Sequence, residues 1–127
     1  LENNGLLISE YEPNKKEDQF SGSKASRIQA GVSKGLILIQ SNVNGGSKYT
    51  LKTFSEVKRP IGVIHFPTNN EYNTNEIFGA NKLLIDKGIK GLVEICDIKK
   101  ERNIRTTTIV QIENKEGYKA YEKLISI

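Results

Sequence analysis

Residues 36–50 read LILIQSNVNGGSKYT: an apolar run, a polar loop with two adjacent glycines, and the start of a helical pattern. A continuous run of leucine and isoleucine, here 36–39, is typical of a strand that is covered on both faces. Residues 48–58 then place apolar side chains at helical spacing, and Ile61–Phe66 is a second apolar run, closed by Pro67. Strands that alternate with helices in this way predict an α/β fold with a parallel sheet.

The same patterns continue on both sides of this centre. Further strands are predicted at 6–8, 91–95 and 106–112, the last as an edge strand. Further helices are predicted at 23–33 with Ser23 as the N-cap, at 76–87 between a capping asparagine and Gly88, and at 117–125. The predicted architecture is a three-layer α/β fold with a mostly parallel sheet.

The composition narrows the classes of function. The chain has 127 residues and a net charge of +4, which suits one domain and weakly favours an anionic partner. Cys96 is the only cysteine and His65 the only histidine, so an internal disulfide and a histidine-rich metal site are excluded. No apolar stretch reaches membrane-spanning length. We therefore expect a cytoplasmic protein with no metal and no cofactor.

Ligands of open parallel sheets bind beyond the carboxyl ends of the strands, which directs attention to the loops 9–23, 40–47 and 67–75. In the second loop, Gly45-Gly46-Ser47 lies between a strand and a helix. Free amides and the helix dipole favour an anion there, and Ser47 and Thr50 add hydroxyl donors. The alternative interpretation is that the two glycines only make a tight turn.

The first loop and its helix supply basic and aromatic candidates. Arg27 suits a two-pronged phosphate contact and Lys24 a point-charge contact, although a solvated helix face has the same pattern. Phe20 either stacks on a nucleobase or packs against the edge of the core.

The remaining reactive side chains do not suggest catalysis. His65 ends a strand with no cysteine or carboxylate partner nearby in the sequence, and we interpret it as structural. Cys96 is interpreted as a packing residue. Glu10 either orients a basic side chain or caps the next segment, and no second acid can be paired with it. No catalytic residue is predicted.

Six segments, in order, resemble the DNA-processing protein A (DprA/Smf) family. They carry its GLLISEYP strand, its FPxRNRIIAGLS segment, its central VVVVEA strand, its SGSLxTA loop, its strand ending VFAVPG, and its GxNxLIxxGA helix. The corresponding segments here are Gly5–Tyr11, Phe20 with Arg27–Ser33, Leu36–Ser41, Gly45–Thr50, Ile61–Pro67 and Gly79–Gly88.

Of the family's arginine-asparagine-arginine triplet only Arg27 remains, and Gln40 replaces the acidic residue after the central strand. Residues 1–96 are thus expected to be the C-terminal part of the family's Rossmann-like domain, with the N-terminal half outside this sequence. Residues 97–127 are expected to be a strand–helix extension of the same domain.

The resemblance implies binding of single-stranded DNA and its transfer to a recombinase, without catalysis. Lys24 and Arg27 would contact phosphates, and Phe20 would contact a base. The binding loop would comprise Gly45, Gly46, Ser47, Lys48 and Thr50, bordered by Asn81 and Lys82. A recombinase and a second copy of the chain are the implied protein partners, and no membrane is involved.

Three other interpretations compete with this one, and the second of them fits the sequence poorly. A glycine loop at a helix start would serve a nucleotide-derived small ligand equally well, which makes a small-molecule sensor the main alternative. A nucleoside-monophosphate hydrolase of the related LOG group carries a PGGxGTxxE loop. Here the glycine loop is out of that register, and no glutamate follows Thr50 before Glu56. A partial domain that only dimerises through its extra strand is the third.

Overall fold

The computed structural model describes residues 3–67, 70–106 and 108–126, which form an α/β fold with five α-helices and a three-stranded parallel sheet. The helices and strands are α1 (Ser21–Val32), β1 (Leu36–Leu38), α2 (Ser47–Ser55), β2 (Ile61–Ile64), α3 (Gly79–Lys87), α4 (Ile89–Cys96), β3 (Ile109–Ile112) and α5 (Lys115–Ile125). Short 3-10 turns precede α3 and β3. The predicted α/β class with a parallel sheet is confirmed.

The central strand is β2, which pairs in parallel with β1 on one side and β3 on the other. Leu36 lies opposite Ile61, which in turn lies opposite Ile109. The predicted strand at 106–112 is therefore present from Ile109, and it is an edge strand of the described sheet.

The core lies on one face of this sheet. Ile61 and Val63 are fully buried and point to the same face, because alternate residues of a strand do so. Helices α1–α4 cover that face. The core residues that they contribute are Ala30, Leu51, Phe54, Ala80, Leu84, Leu92 and Ile95.

The opposite face is covered by α5. Gly62 lies between Ile61 and Val63 and so faces this side, where a Cβ on it would come within 3.1 Å of the Tyr121 ring. Tyr121 is 2% exposed, and its hydroxyl donates to the carbonyl of Leu36 at 3.1 Å. One tyrosine thus joins the last helix to the first strand across the sheet.

Two predicted strands are absent. Leu6, Leu7 and Ile8 form no strand and are 79%, 84% and 56% exposed. An apolar run forms a strand only where a neighbouring strand satisfies its backbone, and this one pairs with none in the described chain. Residues 91–95 belong to a helix, α4.

The helix α4 is explained by its burial pattern. Leu92, Ile95 and Cys96 are buried at helical spacing, and a short apolar run does not by itself distinguish a strand from a helix. Gly88, with φ of +58°, makes the reversal between α3 and α4. Gly91 then lies so close to α3 that a Cβ on it would be 2.5 Å from the carbonyl oxygen of Leu83.

The first helix also begins earlier than predicted, at Ser21, so Ser23 is not its N-cap. Asp18 supplies the polar contacts at this end: its Oδ1 accepts from the backbone N–H of Phe20 at 2.8 Å and from the Ser21 hydroxyl at 3.3 Å. The Phe20 N–H is the main reason that the pKa of Asp18 is lowered.

Candidate functional site

The loop between β1 and α2 is a tight turn that leads directly into a helix. The N–H of Gly45 donates to the carbonyl of Asn42, and the N–H of Lys48 donates back to Gly45. A Cβ on Gly45 would lie 2.7 Å from the hydroxyl of Ser41, whereas a Cβ on Gly46 would meet nothing within 4 Å. The turn therefore requires glycine at position 45, and Gly46 leaves open space in front of the helix.

The start of α2 offers donors to that open space. No side chain caps this helix. Within the described part of the chain, the amides of Gly46 and Ser47 have no hydrogen-bond acceptor. Lys48 and Thr50 are half-buried in its first turn, and the Lys48 ammonium lies 5.4 Å from the centre of the Tyr49 ring. Unsatisfied amides, the helix dipole and a lysine together suit an anion.

Asn81, in the first turn of α3, forms hydrogen bonds with the ends of both β1 and β2. Its side-chain Nδ2 donates to the carbonyls of Leu38, Ile39 and Ile64 at 3.3, 3.0 and 2.8 Å. Its Oδ1 accepts from the N–H of Ser41 at 3.1 Å. Asn81 is 1% exposed, so its amide is occupied by backbone groups and positions the glycine loop. Lys82 follows it and is exposed.

The helices α1 and α2 run in the same direction, side by side. In the middle of α1 the hydroxyl of Ser26 lies 3.0 Å from that of Thr53 in the last turn of α2, and Arg59, which follows α2, donates to the carbonyls of Ala30 and Gly31 in the last turn of α1. Since α2 starts just after β1 ends, both helices begin at the edge of the sheet where the strands end. We call this edge, with the loops after β1 and β2 and the starts of α1, α2 and α3, the carboxyl edge.

The predicted residues of α1 lie on the surface at this edge. Phe20 is 55% exposed just before the helix, and Lys24 is exposed in its first turn. Arg27 forms an ion pair with Glu10, and both side chains are well exposed to solvent. Of the two roles considered for Glu10, the structure supports the orientation of a basic side chain.

Two groups at the carboxyl edge were not predicted. The first is a hydrogen-bonded trio: His65 Nδ1 lies 3.1 Å from Glu113 Oε1, and the Gln111 amide contacts both. We expected His65 to lack a carboxylate partner. Glu113 is such a partner because Ile64 pairs with Ile112. The residues that follow them, His65 and Glu113, therefore lie side by side. Only knowledge of that register would have found the pair from the sequence.

The second group is aromatic. The rings of Phe66, Tyr72 and Phe78 contact one another after β2, with centroids 5.1 to 6.1 Å apart. They are six residues apart with mostly polar residues between them, so no continuous helical or strand pattern marks them in the sequence.

Cys96 is a buried packing residue, as predicted. It is 5% exposed, its thiol donates to the carbonyl of Lys48 at 3.6 Å, and burial raises its pKa to about 11.

In the described part of the chain, no three His, Cys, Asp or Glu residues are grouped so as to hold a metal ion. No helix among the described residues is long and apolar enough to cross a membrane.

These features define a class: an α/β protein whose carboxyl-edge loops and helix starts offer amides, hydroxyls and lysines to an anionic ligand. The model of the DNA recombination-mediator protein A family matches residues 1–103, and the chain belongs to this family. The match confirms the DprA/Smf resemblance and extends past Gly88, where the last of the six resembling segments ends. A general role in DNA recombination follows from this membership. No curated protein and no solved structure gives a significant match.

Proposed function

We propose that this chain binds single-stranded DNA at the carboxyl edge and acts in recombination as a binding protein, not as an enzyme. The observation that carries the proposal is the uncapped start of α2, with its unsatisfied amides, held in place by the Asn81 contacts to both strand ends. A phosphate of the DNA backbone is the anion that this site would take.

Each residue at the edge then has a physical role. Gly45 gives the turn its shape, and Gly46, Ser47 and Thr50 line the phosphate site. Lys24, Arg27, Lys48 and Lys82 supply positive charge to neighbouring phosphates. Phe20 contacts a base. Asn81 does not contact the DNA, because backbone groups of both strand ends occupy its side-chain amide. It positions the loop instead.

Membership of a family of recombination mediators also supports three further proposals: that the chain hands DNA to a recombinase, that it associates with a second copy, and that it works in the cytoplasm. The boundary between a domain at residues 1–96 and an extension at 97–127 likewise stays a prediction.

The test is fluorescence anisotropy of a labelled oligo-dT over a salt series, with a duplex of equal length as the comparison. Single-strand affinity should fall steeply with salt, with a log–log slope of about −0.7 per phosphate contacted. Lys82→Ala should weaken binding. It should also reduce the magnitude of that slope by about 0.7, the amount that one phosphate contact contributes. Lys34→Ala is the matched control, because Lys34 is also exposed but lies at the opposite edge, between α1 and β1. Absence of binding at low salt would reject the proposal.

A nucleotide-derived small ligand is the second candidate, because one cleft fits it. A cleft of about 470 Å³ lies between the loop after β1 and the turn before α3, lined by Asn42, Val43, Asn44, Glu76, Ile77 and Gly79. This volume lies in the range of small-molecule sites. A small ligand would bind saturably with a shallow salt dependence, whereas DNA would show a steep one.

A further inference from the structure

The aromatic cluster after β2 leaves one ring accessible. Phe66 and Phe78 are half-buried, whereas Tyr72 is 45% exposed. Phe66 lies 5.1 Å from both other rings, and Tyr72 lies 6.1 Å from Phe78. Tyr72 is thus an exposed ring supported from behind by two phenylalanines.

Hydrogen bonds on both sides fix the backbone that carries this ring. The Asn73 side chain donates to the carbonyls of Phe66 and Pro67 and accepts from the N–H of Phe66. The N–H of Tyr72 donates to the Asn70 side chain at 3.0 Å. Because these hydrogen bonds hold the backbone at Tyr72 in place, a ligand that stacks on this ring would lose little affinity to the ordering of residues 70–73.

Charges around the cluster separate two kinds of contact. Phe66 and Phe78 line a small depression together with Lys82, so an exposed ammonium lies beside the rings. Glu71 and Glu76 are exposed in the same loop and would repel a phosphate placed directly on it. The chemistry that fits is therefore an uncharged planar group on Tyr72 and an anionic group at Lys82.

We propose that Tyr72 is a stacking platform for one unpaired nucleobase, with the adjoining phosphate at Lys82. This inference rests on the proposed binding of single-stranded DNA and adds a second base contact, separate from Phe20. Stacking on an aromatic side chain tolerates any base, so the platform would favour single strands over duplex without selecting a sequence.

The first experiment measures the affinity of Tyr72 variants for oligo-dT. Tyr72→Ala should weaken binding by about 5- to 100-fold, whereas Tyr72→Phe should stay close to wild type because the ring remains. The comparison is repeated with an oligonucleotide that lacks its bases. Wild type and Tyr72→Ala should bind this strand with equal affinity. A loss of affinity that persists on the abasic strand would mean that the substitution damages the loop, and would overturn the inference.

The second experiment reports on stacking directly. The chain has no tryptophan, so Tyr72→Trp introduces a single indole at the platform. Its emission should be quenched on addition of oligo-dT. Val32→Trp is the control, since Val32 is 68% exposed at the far end of α1, and its emission should not change. If wild type binds and the Y72W emission is unaltered, the inference is wrong but DNA binding stands. If wild type does not bind, both fail.

Discussion

Arg27 and Glu10 form an ion pair that competes with any anionic ligand. Both side chains are exposed, so the pair contributes little to stability but occupies a guanidinium assigned to DNA. We expect Glu10→Gln to tighten binding of oligo-dT by about two- to five-fold, because it releases Arg27 and removes a negative charge.

The control for this prediction is Glu94→Gln, which removes the same charge from the exposed Lys87–Glu94 pair of α3 and α4. Affinity measured by anisotropy at one low salt concentration separates the two variants. An equal gain from both would show that only the net charge matters, and that Arg27 makes no particular contact.

Asn81 is the residue on which the geometry of the edge depends. Asn81→Ala would leave the buried N–H of Ser41 and the strand-end carbonyls without their partner, so we expect a loss of about 2–3 kcal/mol in the free energy of unfolding. Urea denaturation measures this loss. Lys82→Ala, one residue away and exposed, should stay within about 0.5 kcal/mol of wild type. Equal stability of wild type and Asn81→Ala would contradict the role given to this amide.

The residues of the site were partly predictable from sequence. The glycine turn and the α1 cations have local patterns, and the structure puts the starts of both helices at one edge. The buried position of Asn81 was not predictable, because its four partners belong to two strand ends, at 38–41 and at 64, that meet α3 only in the fold. The same holds for His65 and Glu113, which are 48 residues apart in the chain.

At the scale of the elements, α4 shows how burial controls the chemistry of a side chain. Burial raises the pKa of Cys96 to about 11, so at pH 8 almost none of the thiol is ionised. We expect the native protein to react with a thiol-specific reagent at pH 8 at least about 100-fold more slowly than the urea-unfolded chain. Similar rates in both states would mean that the end of α4 opens readily.

The packing of α5 should be sensitive to alkaline pH. Burial raises the pKa of Tyr121 above its usual value of 10.0, so the folded state holds this proton more tightly than the unfolded state. Its contribution to stability is therefore complete below pH 10 and is lost as the pH rises through the folded pKa.

Stability measured between pH 8 and 11 tests this expectation. Tyr121→Phe keeps the ring but loses the hydrogen bond to Leu36, so it should cost about 1 kcal/mol at pH 8 and show a smaller alkaline loss. An unchanged alkaline loss in this variant would assign the effect to other groups.

For the whole molecule, the sequence predicted the class and the parallel sheet but not how many strands it has. The runs at 36–39 and 61–66 lie between helical patterns, and both formed strands. The run at 6–8 has the same composition but pairs with no strand in the described chain, and it is exposed. The run at 91–95 became a helix because its buried residues face α2 and α3. Local composition indicated apolar segments in each case, and tertiary contacts decided their form.

The contact of Tyr121 with Gly35 and Gly62 has a consequence for the order in which the chain folds. During synthesis β1 and β2 leave the ribosome well before α5, whose tyrosine covers both glycines on their exposed face. Until Tyr121 emerges, a nascent chain presents a half-built sheet with an open apolar face. This face of the sheet can therefore be covered only after residues 115–125 have been synthesised, and until then it is a surface on which nascent chains can aggregate.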